Sequence, residues 1–504
     1  MVRQDRSCLL DQDRFVASRR TSRFARVTQR GLWAFLAVAL PVLGALLANL
    51  ESVDLAYHLR AGGIILDTKQ IPAIDAFTFT AAGLPWHDQQ WAAEVILAVA
   101  YRAAGWTGLV VLRAILVAVV FGLVFDMCRR GNTTRTASLI TLASFGLAIV
   151  TLALRPQLFG MVLFALTLWL TSRRAEHPSW FWLAVPVTIG WANLHGSFFL
   201  GPVVIGLAAV EDALTRSSRA AGARTAAVAA VALAATLVSP FGIGGWEYAV
   251  KIATNPVIAN RVSEWQPTTP LSAEGGAFYV SIVLIGIVAL FTARKRRGRL
   301  VALVWLVPFA AIGMRAVRGL AWWPIVAAVT VARLIASDGV ATPRVERADR
   351  PATRRLNLVI AAAIVLAGIA LIPVWRPVDG RLGAPAGVIG SAPPGMTAAI
   401  GDLGKPGDRL FAPQIWGSWF EFAVPAASVF VDSRIELFPA EVWTDYDTIS
   451  GAEDGWSEAL DRWDIGIVAV DDPSMSSLAD RLGSNPRWRE AYHDRDGWVF
   501  VRTG

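Results

Sequence analysis

The sequence predicts a polytopic α-helical membrane protein, with about eleven transmembrane helices and a small C-terminal α/β domain outside the bilayer. Three observations predict it. The 504 residues are 55% hydrophobic and only 17% charged, with a mean hydropathy of +0.48; soluble domains carry about a quarter charged residues. Apolar runs near the ~20 residues that cross a bilayer recur from residue 31 to residue 374. The charge is also divided: residues 376–504 hold 11 Lys/Arg against 20 Asp/Glu, whereas the rest of the chain holds 36 against 19.

Residues 1–30 contain eight arginines and no lysine, which predicts a cytoplasmic basic tail. The run Gly31–Leu50 is too long for a signal-peptide core and lacks a small-residue cleavage site, so it is expected to remain as the first span. Further spans are expected near 106–127, 136–154, 157–171, 180–194, 197–214, 224–241, 276–293, 299–314, 319–336 and 356–374. Segment 91–104 is too short and mixed to cross, and predicts an amphipathic helix on the outer surface.

Basic loops at 129–135, 173–174, 216–224, 294–299 and 344–355 then share one face. The positive-inside bias makes that face cytoplasmic, together with the N-terminus, and leaves the C-terminus outside. The basic excess is thus explained by loop orientation, and no nucleic-acid partner is implied. Cys8 and Cys128 both fall on the cytoplasmic side and suggest neither a disulfide framework nor a metal cluster.

Residues 31–375 form the membrane domain, and 376–394, rich in Pro and Gly, read as a linker. In 395–504, strand-like runs at Ser428–Asp432, Ile465–Val470 and Trp498–Arg502 alternate with helical spacing at Ala452–Trp463 and Ser474–Leu482.

Sorting polar residues by side gathers the chemistry outside. The outer loop 51–105 carries Glu51, Asp54, His58, Asp75, Trp86, His87, Asp88 and Glu94. At other span ends on that face lie Arg155, Gln157, Asn193, His195, Glu264, Arg315 and Arg318. Ionisable groups at membrane depth are costly and point to a cavity or a partner. Asp54 and His58 are spaced i, i+4, so a helix puts them on one face; a carboxylate there can take a proton from a sugar hydroxyl, with histidine tuning it. A helix cap beside a surface histidine is the plainer alternative.

The other candidates carry two readings each. Asp75 suits either an Asx-turn or substrate binding. Trp86 and Glu94 can bind a sugar, while Trp91 reads as an interfacial anchor. Arg155, Arg315 and Arg318 suit a lipid phosphate or headgroup snorkelling. Gln157, Asn193, His195 and Glu264 are further candidates for substrate contact. Glu51 and Asp54, with Asp75 or Glu94, offer oxygen ligands for one divalent cation, although no compact motif requires a metal and no other cofactor is implied. Asp432, Arg434 and Glu436 of the tail are either an acceptor-binding group or a structural ion pair. No P-loop, GxSxG, HExxH or zinc spacing occurs.

These residues resemble the GT-C superfamily of membrane glycosyltransferases, which includes protein mannosyltransferases and lipid A aminoarabinose transferases. They are most similar to a bacterial set with Asp-x-x-x-His-Leu-x-x-Gly after the first span, here Asp54 to Gly62. The set continues with Pro72-x-x-Asp75-x-Phe77-Thr78-Phe79-Thr80, Trp86, Trp91-x-x-Glu94, Arg155-Pro156-Gln157, Asn193 to Ser197 and Ser239 to Gly242. In the tail, Ile415 to Trp419 and Phe430 to Leu437 also match, so the likeness covers nearly the whole chain.

The resemblance implies inverting transfer of a sugar from a polyprenyl-phosphate donor to an extracytoplasmic acceptor, at a bacterial plasma membrane. Asp54 fits the essential acid of the first outer loop. Many members have adjacent Asp-Glu there, whereas this chain has Asp54-Leu55 with Glu51 upstream. Two other classes remain open: a non-catalytic scaffold for envelope assembly that keeps the fold, and a lipid or solute transporter. A transporter is expected to show paired interrupted helices in two halves, which the sequence lacks.

Overall fold

The computed structural model describes residues 27–215, 217–292, 296–336 and 351–503, with side chains undescribed at 292–297 and 351. The basic segment 1–26 with Cys8, and much of the basic stretches near 216, 294–299 and 344–355, lie outside the described residues.

The membrane domain consists of α1 (Gln29–Leu47), α2 (Ser52–Thr68), α3 (Trp91–Cys128), α4 (Thr134–Ala148), α5 (Pro156–Ser172), α6 (Ala184–Leu194), α7 (Leu200–Thr215) and α8 (Arg219–Ala235). It continues with α9 (Gly244–Thr254), α10 (Pro256–Arg261), α11 (Ala273–Thr292), α12 (Arg296–Arg315), α13 (Trp323–Ile335) and α14 (Pro351–Leu371). Each expected span coincides with a helix, but among the described residues six are long and apolar enough to cross a membrane by length and composition. That measure does not establish the expected count of eleven, the remaining apolar helices being shorter. At 1.5 Å per residue, the 13 residues of α13 reach only about 20 Å, and its buried face belongs to the interior of a bundle.

Segment 91–104 is, as expected, a helix distinct from the span that follows it: the helical stretch α3 is interrupted at Ala104 and Gly105, whose backbones are non-helical. It packs against the bundle instead of lying free on the surface. Gly105 has φ +56°, a conformation that glycine adopts at little cost. Ala93, Glu94, Leu97 and Ala98 are buried there. The crossing of α2 over α3 is close because Gly62 lacks a side chain: a Cβ there would lie 2.1 Å from the Glu94 carbonyl oxygen. Arg113, buried in α3, donates to the carbonyls of Ala48 and Asn49 (2.7 Å to the latter). It thereby pairs carbonyls at the end of α1 and fixes the turn into α2.

The tail contains β1 (Val378–Asp379), β2 (Ala384–Pro385), α15 (Pro394–Leu403), β3 (Arg409–Phe411), α16 (Gln414–Ala423), β4 (Ser428–Val429), α17 (Ala440–Ser450), α18 (Trp456–Arg462), β5 (Ile467–Asp471), α19 (Ser476–Gly483), β6 (Trp488–Asp494) and β7 (Gly497–Arg502). Its main sheet has the order β4-β3-β5-β7-β6, parallel through β4, β3 and β5 and antiparallel through β5, β7 and β6. The expected α/β character is therefore present, with helices connecting the parallel strands.

The tail is docked. Leu50 forms a parallel bridge with Ile389 of the expected linker, and Thr78 another with Val429 at the β4 edge. One apolar core runs from Leu109 and Phe164 of the membrane helices to Leu410 and Trp419 of the tail.

Candidate active site

The first turn of α2 carries Asp54, and His58 follows one turn later. A carboxylate is favoured at a helix N-terminus by the aligned peptide dipoles. Asp54 is about a fifth exposed, and its Oδ2 lies 3.1 Å from Nε of Arg155. Arg155 sits immediately before α5 in an extended conformation (φ −136°, ψ 164°), as a residue before proline prefers. Its other two nitrogens donate to Glu264 at 2.8 and 2.6 Å. One guanidinium therefore holds two carboxylates.

Arg318 is the second cation here. Its Nε donates to Gln157 Oε1 at 3.3 Å, Gln157 Nε2 donates back to the Arg318 carbonyl at 3.4 Å, and the guanidinium lies 5.3 Å from the Trp265 ring centre. Burial pushes the Asp54 carboxyl up, but Arg155, His58 and Arg318 beside it, with a hydrogen bond from Ser433 of the tail, hold it below its ordinary value.

Behind Asp54, His58 Nδ1 is 2.8 Å from Glu94 Oε1, with both side chains almost wholly buried. Burial pushes the His58 imidazole down to about 3, so it is neutral at physiological pH. The Tyr57 ring packs 4.0 Å from the imidazole. His195 faces the same charges, Arg318, Arg155 and His58. The Ser197 backbone N–H donates to its Nδ1 at 3.2 Å, which puts the ring proton of a neutral His195 on Nε2. Asp54, His58, Glu94, Arg155, Gln157, His195, Glu264 and Arg318 thus form one neighbourhood at the end of the bundle that carries the tail.

Four other candidates lie outside this neighbourhood. Asp75 is buried and accepts from the backbone N–H groups of Phe77 (3.2 Å) and Thr78 (3.1 Å), the Thr78 hydroxyl (2.6 Å) and Arg434 Nη2 (2.7 Å). It is an Asx-turn residue and an ion-pair partner at once. Trp86 is buried with its ring 4.6 Å from the Arg434 guanidinium, which leaves it unable to serve as an open sugar platform. Asn193 accepts from Trp91 Nε1 at 3.1 Å and donates to the Ile189 and Val238 carbonyls. Arg315 is exposed and, among the described residues, makes no ion pair with the cluster. Trp91 and Asn193 line an apolar groove of about 620 Å³ with Ile96, Ile189, Val238 and Pro240.

The cation proposed for Glu51 and Asp54 finds no ready site. Glu51 accepts from the Ser391 hydroxyl, Asp54 is engaged by Arg155, and among the described residues no group of three His, Cys, Asp or Glu side chains is arranged to hold a metal. No step is derived through one.

Sequence reasoning missed Ser433 and Tyr248 and gave Asp88 no role. Ser433 reaches Asp54, Tyr248 donates to Glu436 Oε1 at 2.7 Å, and Asp88 meets Glu94. Ser433 and Glu436 fall inside the Phe430–Leu437 motif, which was the available signal. Arg434 donates to Asp432 (Nε to Oδ2, 2.9 Å) as well as to Asp75, and so joins tail and outer loop in one buried network.

No protein-family model matches the sequence, and no curated protein matches it. Among solved structures, the chain is similar to the archaeal oligosaccharyltransferase AglB from Archaeoglobus fulgidus, determined with an inhibitory peptide and a dolichol-phosphate. The superposition has a TM-score of 0.57 at 13% identity and covers 87% of this chain and 69% of that one. The chain therefore shares the fold of that membrane oligosaccharyltransferase over most of its length.

Proposed function

We propose that the protein transfers a sugar from a polyprenyl-phosphate donor to an acceptor hydroxyl at the extracytoplasmic face of a bacterial plasma membrane, with inversion at the anomeric carbon. The observation that carries this reading is Arg155 and Arg318 grouped around the partly exposed Asp54 in a fold like that of a membrane oligosaccharyltransferase. Guanidinium matches phosphate geometry. When the donor phosphate takes Arg155 as its counter-ion, Asp54 loses the partner that keeps its basicity low. Donor binding therefore arms the base.

The acceptor oxygen attacks the anomeric carbon, its proton passes to Asp54, and the bond to the phosphate oxygen breaks with its electrons going to the phosphate, which the two arginines stabilise. The apolar groove beside Trp91 offers room for the prenyl chain. Purified protein in lipid, incubated with radiolabelled polyprenyl-phosphate sugars, tests the reading: transfer by wild type and its loss in Asp54→Asn are expected. A scaffold would keep its cellular role with Asn at position 54, and complementation separates the two.

A further inference from the structure

We infer that His58, Glu94 and Asp88 form a buried proton relay that takes from Asp54 the proton lost by the acceptor; this rests on the glycosyl-transfer reading above. The geometry begins with His58, one helical turn from Asp54 and hydrogen-bonded through Nδ1 to Glu94 Oε1 at 2.8 Å. Asp88 lies beside Glu94. Glu94 Oε2 and Asp88 Oδ2 are both buried without a hydrogen-bond partner, and two adjacent buried carboxylates with no donor are costly, so one proton held between them relieves the pair. The pair thus has one proton and room for a second.

The resting arrangement has the proton on Glu94, facing Asp88, while the neutral His58 donates its Nδ1 proton to Glu94 Oε1. During transfer the acceptor O–H bond breaks and Asp54 gains the proton. Asp54 passes it to His58 Nε2, His58 gives its Nδ1 proton to Glu94, and Glu94 passes its own proton to Asp88. The imidazole ends neutral, in its other tautomer, and the carboxyl pair ends with two protons. The low basicity of the buried imidazole fits a conduit, since charge does not accumulate on it. After the products leave, the proton returns by the same path to water.

The charged and titratable groups facing the relay are Asp54 and Tyr57 of α2, Arg155, Arg318 and His195 of the membrane domain, Tyr248 of α9, and Arg434 of the tail. None of these bridges Glu94 to Asp88.

The test uses the full-length protein in lipid nanodiscs and two isosteric variants, Glu94→Gln and Asp88→Asn. Infrared difference spectra of the unliganded protein between neutral and alkaline pH should show a protonated-carboxyl band that shifts in D2O. Each variant should abolish it. Its absence from wild type, or its survival in both variants, would overturn the relay whether or not a donor has been found. With an active donor, Glu94→Gln should bind it as wild type does yet transfer about 100-fold more slowly, with a changed pH profile and partial rescue by imidazole buffer. Wild-type rates and pH profiles in both variants would also overturn it. Infrared success with no transfer from any donor would sink the functional reading instead, and with it the relay's catalytic role.

Discussion

Arg155 bridges Asp54 and Glu264, with Nε on the first and both terminal nitrogens on the second. The bridge keeps the two carboxylates apart in charge terms and places a cation where a donor phosphate would arrive. Replacing Arg155 with Ala should remove that grip. Donor affinity is expected to fall by about 2 kcal/mol, roughly thirtyfold, while Arg155→Lys recovers part of it without the forked geometry. Binding of a fluorescent polyprenyl phosphate to the two variants measures both effects.

Asp54→Asn should leave donor binding intact and lower transfer by about 10²–10⁴-fold, the range for loss of a positioned base. Arg315→Ala should change neither quantity, because that side chain is exposed and unconnected to the cluster. Parallel kinetics on the two proteins separate a residue in the site from one merely near it in sequence.

The Arg434 network makes a stability prediction. Its guanidinium is fully buried between Asp75 and Asp432, and removing one side of such a cluster strands a buried charge. Arg434→Met should destabilise the protein by about 3–5 kcal/mol and expose the tail to limited proteolysis. A tail that stays resistant would contradict the docking.

Gly62→Ala should push α2 away from α3, since the added Cβ would meet the Glu94 carbonyl at 2.1 Å. The overpacking is expected to cost about 1–3 kcal/mol and to lower transfer by moving Asp54. Thermal unfolding in detergent and the transfer assay read the two consequences.

Two buried groups give opposite pH dependences. His58, pushed down to about 3 by burial, contributes stability that is complete above its unfolded value near 6.5 and declines as pH falls toward 3. Asp88, pushed up to about 6 by burial, contributes stability that is complete below its unfolded value near 4 and is lost as pH rises through 6. Between pH 4 and 6 the two slopes offset each other. Asp88→Asn removes one, so acidification from pH 6 to 4 should then destabilise the variant by about 3 kcal/mol relative to wild type. Unfolding midpoints across that pH range check the sign.

Much of this was legible in the sequence where the signal is local. The i, i+4 spacing of Asp54 and His58 gave a shared helix face, and apolar periodicity located every membrane-domain run. Alternating strands and helices gave the tail's class. Length was harder to read, because bundle burial allows a short helix to be as apolar as a spanning one, as in α13. The break within α3 was also legible, since Gly105 marks the boundary between segment 91–104 and the span after it. Least visible was pairing over distance: Asp75 and Arg434 stand 359 residues apart, and nothing near either names the other. Asp88 was named with the other acids of the loop but given no role, because a lone acid beside His87 has no pattern until Glu94 is folded against it.

The docking of Ser433 and Arg434 onto the outer loop has a consequence for biosynthesis. Asp54 emerges early from the ribosome, yet its surroundings are completed by residues made nearly four hundred positions later. A chain that stops anywhere before the Phe430–Leu437 stretch lacks Ser433 and Arg434, and with them the tail partners of Asp54 and Asp75.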